Sequence, residues 1–268
     1  MTVPDLPHRP AVPEPSPADA WAELRRHTPA RIGLGRSGAG LPTAEVLRLA
    51  AAHAQARDAV HVALDAPALE ASLQAERWQT ISVSSRAASR DEYLRRPDLG
   101  RRLDEAGAER VQAAARGAVD LAVVVGDGLS ALAVQRHAVP VLVALRAALG
   151  GAWHPLTWAP ITVANQARVA LADEVGALMQ ARIVLILLGE RPGLSSPDSL
   201  GAYLTHAPAI GRSDAQRNCV SNIRSDGLLP AAAGARIAWL LRESLRRKLS
   251  GVALKDGSET ALIEAERR

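Results

Sequence analysis

Between residues 119 and 188 the chain switches repeatedly between two apolar patterns. Val119-Asp120-Leu121-Ala122-Val123-Val124-Val125 is a nearly continuous, β-branched run. Such a run predicts a strand buried on both faces. Gly126-Asp127-Gly128 then reads as a turn. Residues 129–137 return to helical spacing, 163–167 read as a second strand, and Asp173-Glu174-Val175-Gly176-Ala177-Leu178-Met179 as a helix. Residues 182–188 form the strongest strand pattern in the chain. Strands without a polar face, alternating with helices, predict an α/β fold: a Rossmann-like, mostly parallel sheet covered by helices. In such sheets ligands bind at the carboxyl ends of the strands. The loops at 126–130 and 189–196 are therefore the ones to watch.

The N-terminal half is patterned differently. Residues 1–18 carry six prolines, a density that blocks both helix and ladder and predicts a disordered or extended arm. Residues 19–117 form a mainly helical region. Asp19 is a candidate cap for a helix through Trp21, Leu24 and His27. Pro42, Thr43 and Glu45 mark the first turn of another, on which Val46, Leu47, Leu49, Ala50 and His53 recur at helical spacing. Asp91 is a candidate cap for the next stretch, interrupted at Pro97, and Leu99, Leu103, Ala106 and Val111 continue it toward Gly117. Short extended segments are expected at 60–64 and 81–84. Residues 118–251 hold the α/β domain, which a helix from Ala231 to Leu249 closes; 252–268 form a polar tail.

Composition narrows the classes. The chain has 268 residues, 48% of them hydrophobic, so it can bury a real core. It has no Phe, and Ala dominates, so that core must pack closely through small side chains. The net charge of +4 is almost all arginine, but the arginines are interleaved with acids, and aromatics to stack bases are scarce. No nucleic-acid partner is expected. No uninterrupted apolar run reaches the length of a membrane span, so no membrane partner is expected either. A lone cysteine, Cys219, excludes an internal disulfide framework, and a cytoplasmic setting fits.

Gly33-Leu34-Gly35-Arg36-Ser37-Gly38 matches the glycine spacing of a dinucleotide-binding turn, with Asp65 downstream. An NAD-binding or regulatory domain is the alternative it suggests. The preceding strand would be too short, and Pro42 starts the following helix too late for a pyrophosphate to sit on its N-terminus. A glycine-rich connection between helices is the better reading of Gly33, Gly35 and Gly38.

Several segments together carry more information than any one of them. They are Arg95-Arg96-Pro97-Asp98-Leu99-Gly100-Arg101-Arg102-Leu103, Asp127-Gly128-Leu129-Ser130, Arg168-Val169, Asp173-Glu174-Val175-Gly176, Gly189-Glu190-Arg191-Pro192-Gly193-Leu194, Ser199-Leu200, Tyr203, Cys219-Val220-Ser221-Asn222-Ile223 and Lys248-Leu249-Ser250-Gly251. In order and spacing they resemble the light subunit of ethanolamine ammonia-lyase, over roughly residues 20–251. The resemblance implies a radical ammonia-lyase, a carbon–nitrogen lyase that converts ethanolamine to acetaldehyde and ammonia with adenosylcobalamin as cofactor. It also implies a hetero-oligomer in which a large barrel subunit binds ethanolamine, while the small subunit completes the cobalamin site and is inert alone. The setting would be the cytoplasm, free or within a bacterial microcompartment. The arm and the tail have no counterpart in the resemblance.

Three cofactor-binding residues follow from it, with no catalytic residue and no metal ligand on this chain. Glu190 directly follows the strongest strand, where a carboxylate can accept hydrogen bonds from corrin amides or the nucleotide sugar. Position alone leaves open an ion pair with Arg191 or a solvated loop charge. Cys219, read without the resemblance, is a small buried hydrophobe; no local His supports a nucleophile. Val169 reads as an ordinary core or helix-start residue, and the resemblance makes it a packing or backbone contact. The histidines at 53, 61, 137, 154 and 206 are scattered, and there is no Asp-x-His-x-x-Gly run of the kind that supplies a cobalt ligand in one cobalamin class. The cofactor is expected to keep its own base on cobalt.

Overall fold

The computed structural model describes residues 21–150 and 156–258. The proline-rich arm, the Asp19 cap, His154 and residues 259–268 of the tail lie outside the described residues. Two compact units are present, Met1–Ala51 and Ala52–Arg268.

In the first unit, α1 (Trp21–Arg25) leads through a glycine-rich loop into α2 (Thr43–His61), which continues into the second unit. Gly33, Gly35 and Gly38 all have positive φ, and the nearest ladder is an isolated bridge between Ser37 and Gly40. No strand precedes them among the described residues, so the β-turn-helix frame of a dinucleotide site is missing. Asp65, the supposed ribose ligand, caps α3 (Ala66–Ala75) by accepting from the Ala68 N–H at 3.0 Å.

In the second unit six strands form one sheet in the order β1-β3-β2-β4-β5-β6. They are β1 (Thr80–Ser84), β2 (Val119–Gly126), β3 (Ile161–Asn165), β4 (Ala181–Gly189), β5 (Leu200–His206) and β6 (Arg217–Ile223). The first four in that order are parallel, while β5 and β6 pair antiparallel. The α/β expectation stands, but the mostly parallel, Rossmann-like sheet is corrected to a mixed one. The reason is that short loops rather than crossover helices connect β4 to β5 and β5 to β6, which permits only antiparallel neighbours. β5 and β6 carry Tyr203, Thr205, Arg217, Asn218 and Ser221, too polar to register as doubly buried strands.

On one face α3, α6 (Ala131–Leu149) and α8 (Pro230–Arg247) cover the sheet through Leu121, Val123, Leu185, Leu187, Leu142, Leu145 and Leu241. On the other, α5 (Glu105–Ala114) and α7 (Leu171–Leu178) pack on Ala122, Val124, Val184 and Ile186. Each such Val, Leu or Ile contributes about 1.5–3 kcal/mol by burial. Among the described residues α6 alone is long and apolar enough to cross a bilayer, yet Val134, Val141, Leu142 and Leu145 are fully buried in this core.

Other expectations shift in detail. Residues 60–61 belong to α2, and 62–64 form no strand. Residues 81–84 do form β1, which joins the sheet at its edge. α4 (Arg90–Arg95) is capped not by Asp91 but by Ser89, whose Oγ accepts from the Glu92 N–H at 3.2 Å. Pro140 lies inside α6, which carries on for nine residues beyond it to Leu149.

Candidate cofactor-binding face

Beyond β4 the cover on the α5/α7 face thins. Tyr203 on β5 is half-buried, and Cys219 and Ser221 on β6 are exposed. Cys219 sits opposite Tyr203 in the ladder. The pairing then slips: Ala202 faces Val220, but Leu200 faces Ile223, so β6 bulges at Ser221 and Asn222. Asn222 adopts the left-handed φ of 60° that this bulge requires.

The bulge builds a seat for Glu190. The Ser221 hydroxyl donates to Oε1 at 2.5 Å, and the Ser199 hydroxyl to Oε2 at 2.6 Å. The Asn222 N–H donates to Oε2 at 3.3 Å. No ion pair joins Glu190 to Arg191 among the described residues, so that alternative is not realised. The carboxylate is aimed across the sheet instead of into solvent. Gly201 leaves room for this: a Cβ there would lie 2.8 Å from Oε1 and 3.0 Å from the Tyr203 ring.

Cys219 is not the buried hydrophobe that composition suggested. Partial desolvation raises its thiol above the ordinary value; the Tyr203 hydroxyl opposes that shift and the nearby Glu190 charge adds to it. Tyr203 is held far above its ordinary value, first by burial, then by Cys219 and Glu190. Both groups are therefore neutral at physiological pH; the charges beside them are the Glu190 carboxylate and the Arg224 guanidinium, whose Nε donates to Asn222 Oδ1 at 2.7 Å.

Val169 lies on the same face of the sheet, just before α7. It packs against the core beneath that face and lines a cleft of about 540 Å³ with Arg101, Arg168, Arg212 and Asp214. Val169 is thus a partly buried residue at the start of α7, as its periodicity suggested. The fold brings Glu190 and Cys219 together around Tyr203, while Val169 packs on the same core layer as Tyr203 and lines a separate cleft.

Buried polar groups fix the loops that present these residues. Asp127, 2% exposed, accepts from the Gln166 and Ala167 N–H groups at 3.0 and 2.9 Å, which holds the segment leading to Val169. Arg90 reaches Asp127 at 3.2 Å and the Gly128 carbonyl at 2.8 Å, and the Tyr93 hydroxyl donates to the Ala167 carbonyl at 2.9 Å. Gly128, at φ 56°, allows its loop to press on the backbone of Gly189, to which Leu129 N–H donates at 2.9 Å. The Ser130 hydroxyl caps α6 and donates to the Pro197 carbonyl at 2.8 Å, while Arg136 holds Asp198 at 2.9 Å. On α7, Asp173 forms a buried two-pronged pair with Arg217 at 2.6 and 2.7 Å, tying the helix to β6. Glu174 does the same with Arg102 at 2.9 and 3.0 Å.

These segments all lie within the stretch that a family comparison matches. Residues 18–255 match the model of a family described as "Ethanolamine ammonia-lyase light chain (EutC)". The chain belongs to the ethanolamine ammonia-lyase light chain family. It is 54% identical to the ethanolamine ammonia-lyase small subunit of Pseudomonas syringae pv. tomato, over 94% of this chain and 88% of the relative. It is 55% identical to that of Xanthomonas campestris pv. campestris, over 94% and 93%, and 51% identical to that of Pseudomonas aeruginosa, over 95% and 94%. Within this light chain the motif residues now have physical roles: Gly189 and Gly128 allow the loops to meet, Ser221 and Asn222 seat Glu190, and Asp173 and Glu174 anchor α7. Sequence reasoning placed Asp127, Arg168, Ser199 and Ser221 in the segments of the resemblance without giving any of them a structural role in the site, and nothing marked Gly201.

Proposed function

We propose that this chain is the small subunit of an adenosylcobalamin-dependent ethanolamine ammonia-lyase, and that Val169, Glu190 and Cys219 form one wall of a cobalamin site completed by a large, ethanolamine-binding barrel subunit. Family membership supports the reaction; the observation that supports the site is the seated Glu190 carboxylate on an open sheet face. The donor set suits the cofactor. Corrin amides need acceptors, and a carboxylate with three donors already in place has capacity left for one more. A wide ring needs small residues beneath it, and Gly201 and Cys219 provide them.

Adenosylcobalamin, when bound, supplies the radical chemistry. This chain's part is to bind and orient. Glu190 accepts from a corrin amide without having to reorganise, because Ser199, Ser221 and Asn222 already fix it. Tyr203 and Cys219, both neutral, flank it and add no charge of their own. Val169 adds apolar contact from the adjoining part of the face. We assign the cofactor wall to residues 118–251 and the setting to the cytoplasm, which a single cysteine favours.

The test is titration of the complex between this chain and its large subunit with cobalamin, followed by absorbance. Glu190→Ala should weaken binding by about tenfold, the loss of one charge-assisted hydrogen bond. Cys219→Ala should weaken it less and leave turnover measurable at saturating cofactor. Unchanged affinity in Glu190→Ala, or abolished turnover in Cys219→Ala, would overturn the assignment.

A further inference from the structure

The seat of Glu190 is held from the far side by α6, a helix that covers the opposite face of the sheet from Tyr203 and Cys219. Ser199 grips Glu190 twice: its carbonyl accepts the Glu190 N–H at 2.9 Å, and its hydroxyl donates to Oε2 at 2.6 Å. Between the two residues runs the loop 191–198. In its middle Gly193 and Ser196 exchange backbone hydrogen bonds at 3.0 and 3.1 Å. Its exit is fixed by α6. The Ser130 hydroxyl, at the head of that helix, donates to the Pro197 carbonyl at 2.8 Å. The Asp198 carboxylate, one residue ahead of Ser199, accepts from Arg136 at 2.9 Å and lies 3.4 Å from His137 Nε2.

Arg136 and His137 are unequal partners. The Arg136 side chain is 56% exposed, and an ion pair so open to water fixes little. His137 is only 6% exposed. Every other buried residue of α6 is Ala, Val or Leu. An imidazole in that company costs free energy unless its polar atoms are paired, and Leu would pack there without the cost. What Leu lacks is a donor. Burial opposes the charge on Asp198, but the bonds from Arg136 and His137 outweigh it, so its carboxyl titrates below the ordinary range. A carboxylate only accepts, so the ring presents Nε2–H to it.

We propose that His137 is a positioning residue: from α6 it fixes Asp198, Asp198 fixes the adjoining Ser199, and Ser199 sets the Glu190 carboxylate toward its ligand. The identity of that ligand rests on the cobalamin reading above; the relay of contacts does not. His137 acts around the edge of the sheet, through the loop, and not by contact with the cofactor.

Two measurements on the complex with the large subunit test the relay. Titration with cyanocobalamin reads the wall. Hydrogen exchange at the Glu190 amide, which donates to Ser199, reads the loop with no cofactor present. His137→Leu keeps the packing and removes the donor. It should speed exchange at Glu190 by about tenfold and weaken cyanocobalamin by about fivefold, less than Glu190→Ala does. His137→Gln, whose amide can place a donor near the Nε2 position, should restore most of both. In a Ser199→Ala background His137→Leu should cost nothing further, because the relay is already cut. Asp198→Ala alters only the loop and should reproduce both effects, so the relay remains testable if His137→Leu does not fold. Normal exchange in these variants, equal losses for Leu and Gln, or losses that simply multiply in the double variant would overturn the proposal. So would an affinity that falls in Glu190→Ala alone. Faster exchange in His137→Leu, with cyanocobalamin affinity unchanged there and in Glu190→Ala, would support the relay and remove the cobalamin reading instead.

Discussion

In the parallel half of the sheet, β2 buries every side chain from Leu121 and β4 every one from Ile183, whereas β6 alternates buried Val220 with exposed Cys219 and Ser221. The central strands of the first half are sandwiched between helices, with both faces occupied by packing. The second is covered on one face by α8 and left open on the other, and there the hydroxyls, the thiol and the carboxylate collect. Stability and binding are thus divided between strands of one sheet, and substitutions should separate the two.

The largest stability effect belongs to the parallel half. Leu185, fully buried, should lose about 2–5 kcal/mol on replacement by Ala. Chemical denaturation would measure the loss, and cobalamin affinity of the folded fraction in the assembled complex should stay unchanged. A fall in affinity as large as the fall in stability would deny that the halves are separable. At the open edge the balance reverses. Gly201→Ala presses on Glu190 and Tyr203, with a stability loss of about 1–3 kcal/mol at most, the ordinary range for overpacking. Its cobalamin affinity should drop more than that of Leu185→Ala. Equal affinities in the two variants would mean that the seat of Glu190 does not matter.

The smallest effect is a dependence on pH, from the pair that ties α7 to the segment ahead of α5. Burial opposes the charge on Glu174, but the Arg102 fork and the Leu103 N–H outweigh it, so its carboxyl titrates below the ordinary range. A group depressed in the folded state contributes stability that is fully present above its unfolded pKa, about 4.3, and is lost as pH falls through the depressed folded value. Glu174→Gln should flatten thermal stability over that acid window and leave its pH dependence elsewhere unaltered. A variant with the same acid slope as the parent would rule the carboxylate out as a contributor.

The same division explains which parts could be read in advance. β2 and β4 are visible because burial on both faces forces continuous Val, Leu and Ile. β5 and β6 were missed because a strand with one open face, a bulge and a buried Arg217 has no such pattern. Among the candidate site residues, Glu190 stands out in position because it ends the most legible strand, and the family resemblance turns that position into a cofactor contact. Cys219 and Val169 came from the family resemblance, and the surroundings were opaque: Gly201 matters only because Glu190 folds over it, and His137 only because Asp198 lies against it.

By itself, then, the sequence determined the α/β class, the central strands, the rejection of Gly33, Gly35 and Gly38 as a nucleotide turn, and the family. Periodic burial and motif order are local properties, written along the chain. The tertiary structure alone decided that the sheet is mixed, that a bulge at Ser221 and Asn222 seats Glu190, and that His137 on α6 meets Asp198 beside Ser199. Those facts depend on which residues, dozens of positions apart, are forced into contact when the core closes, and no periodicity encodes them.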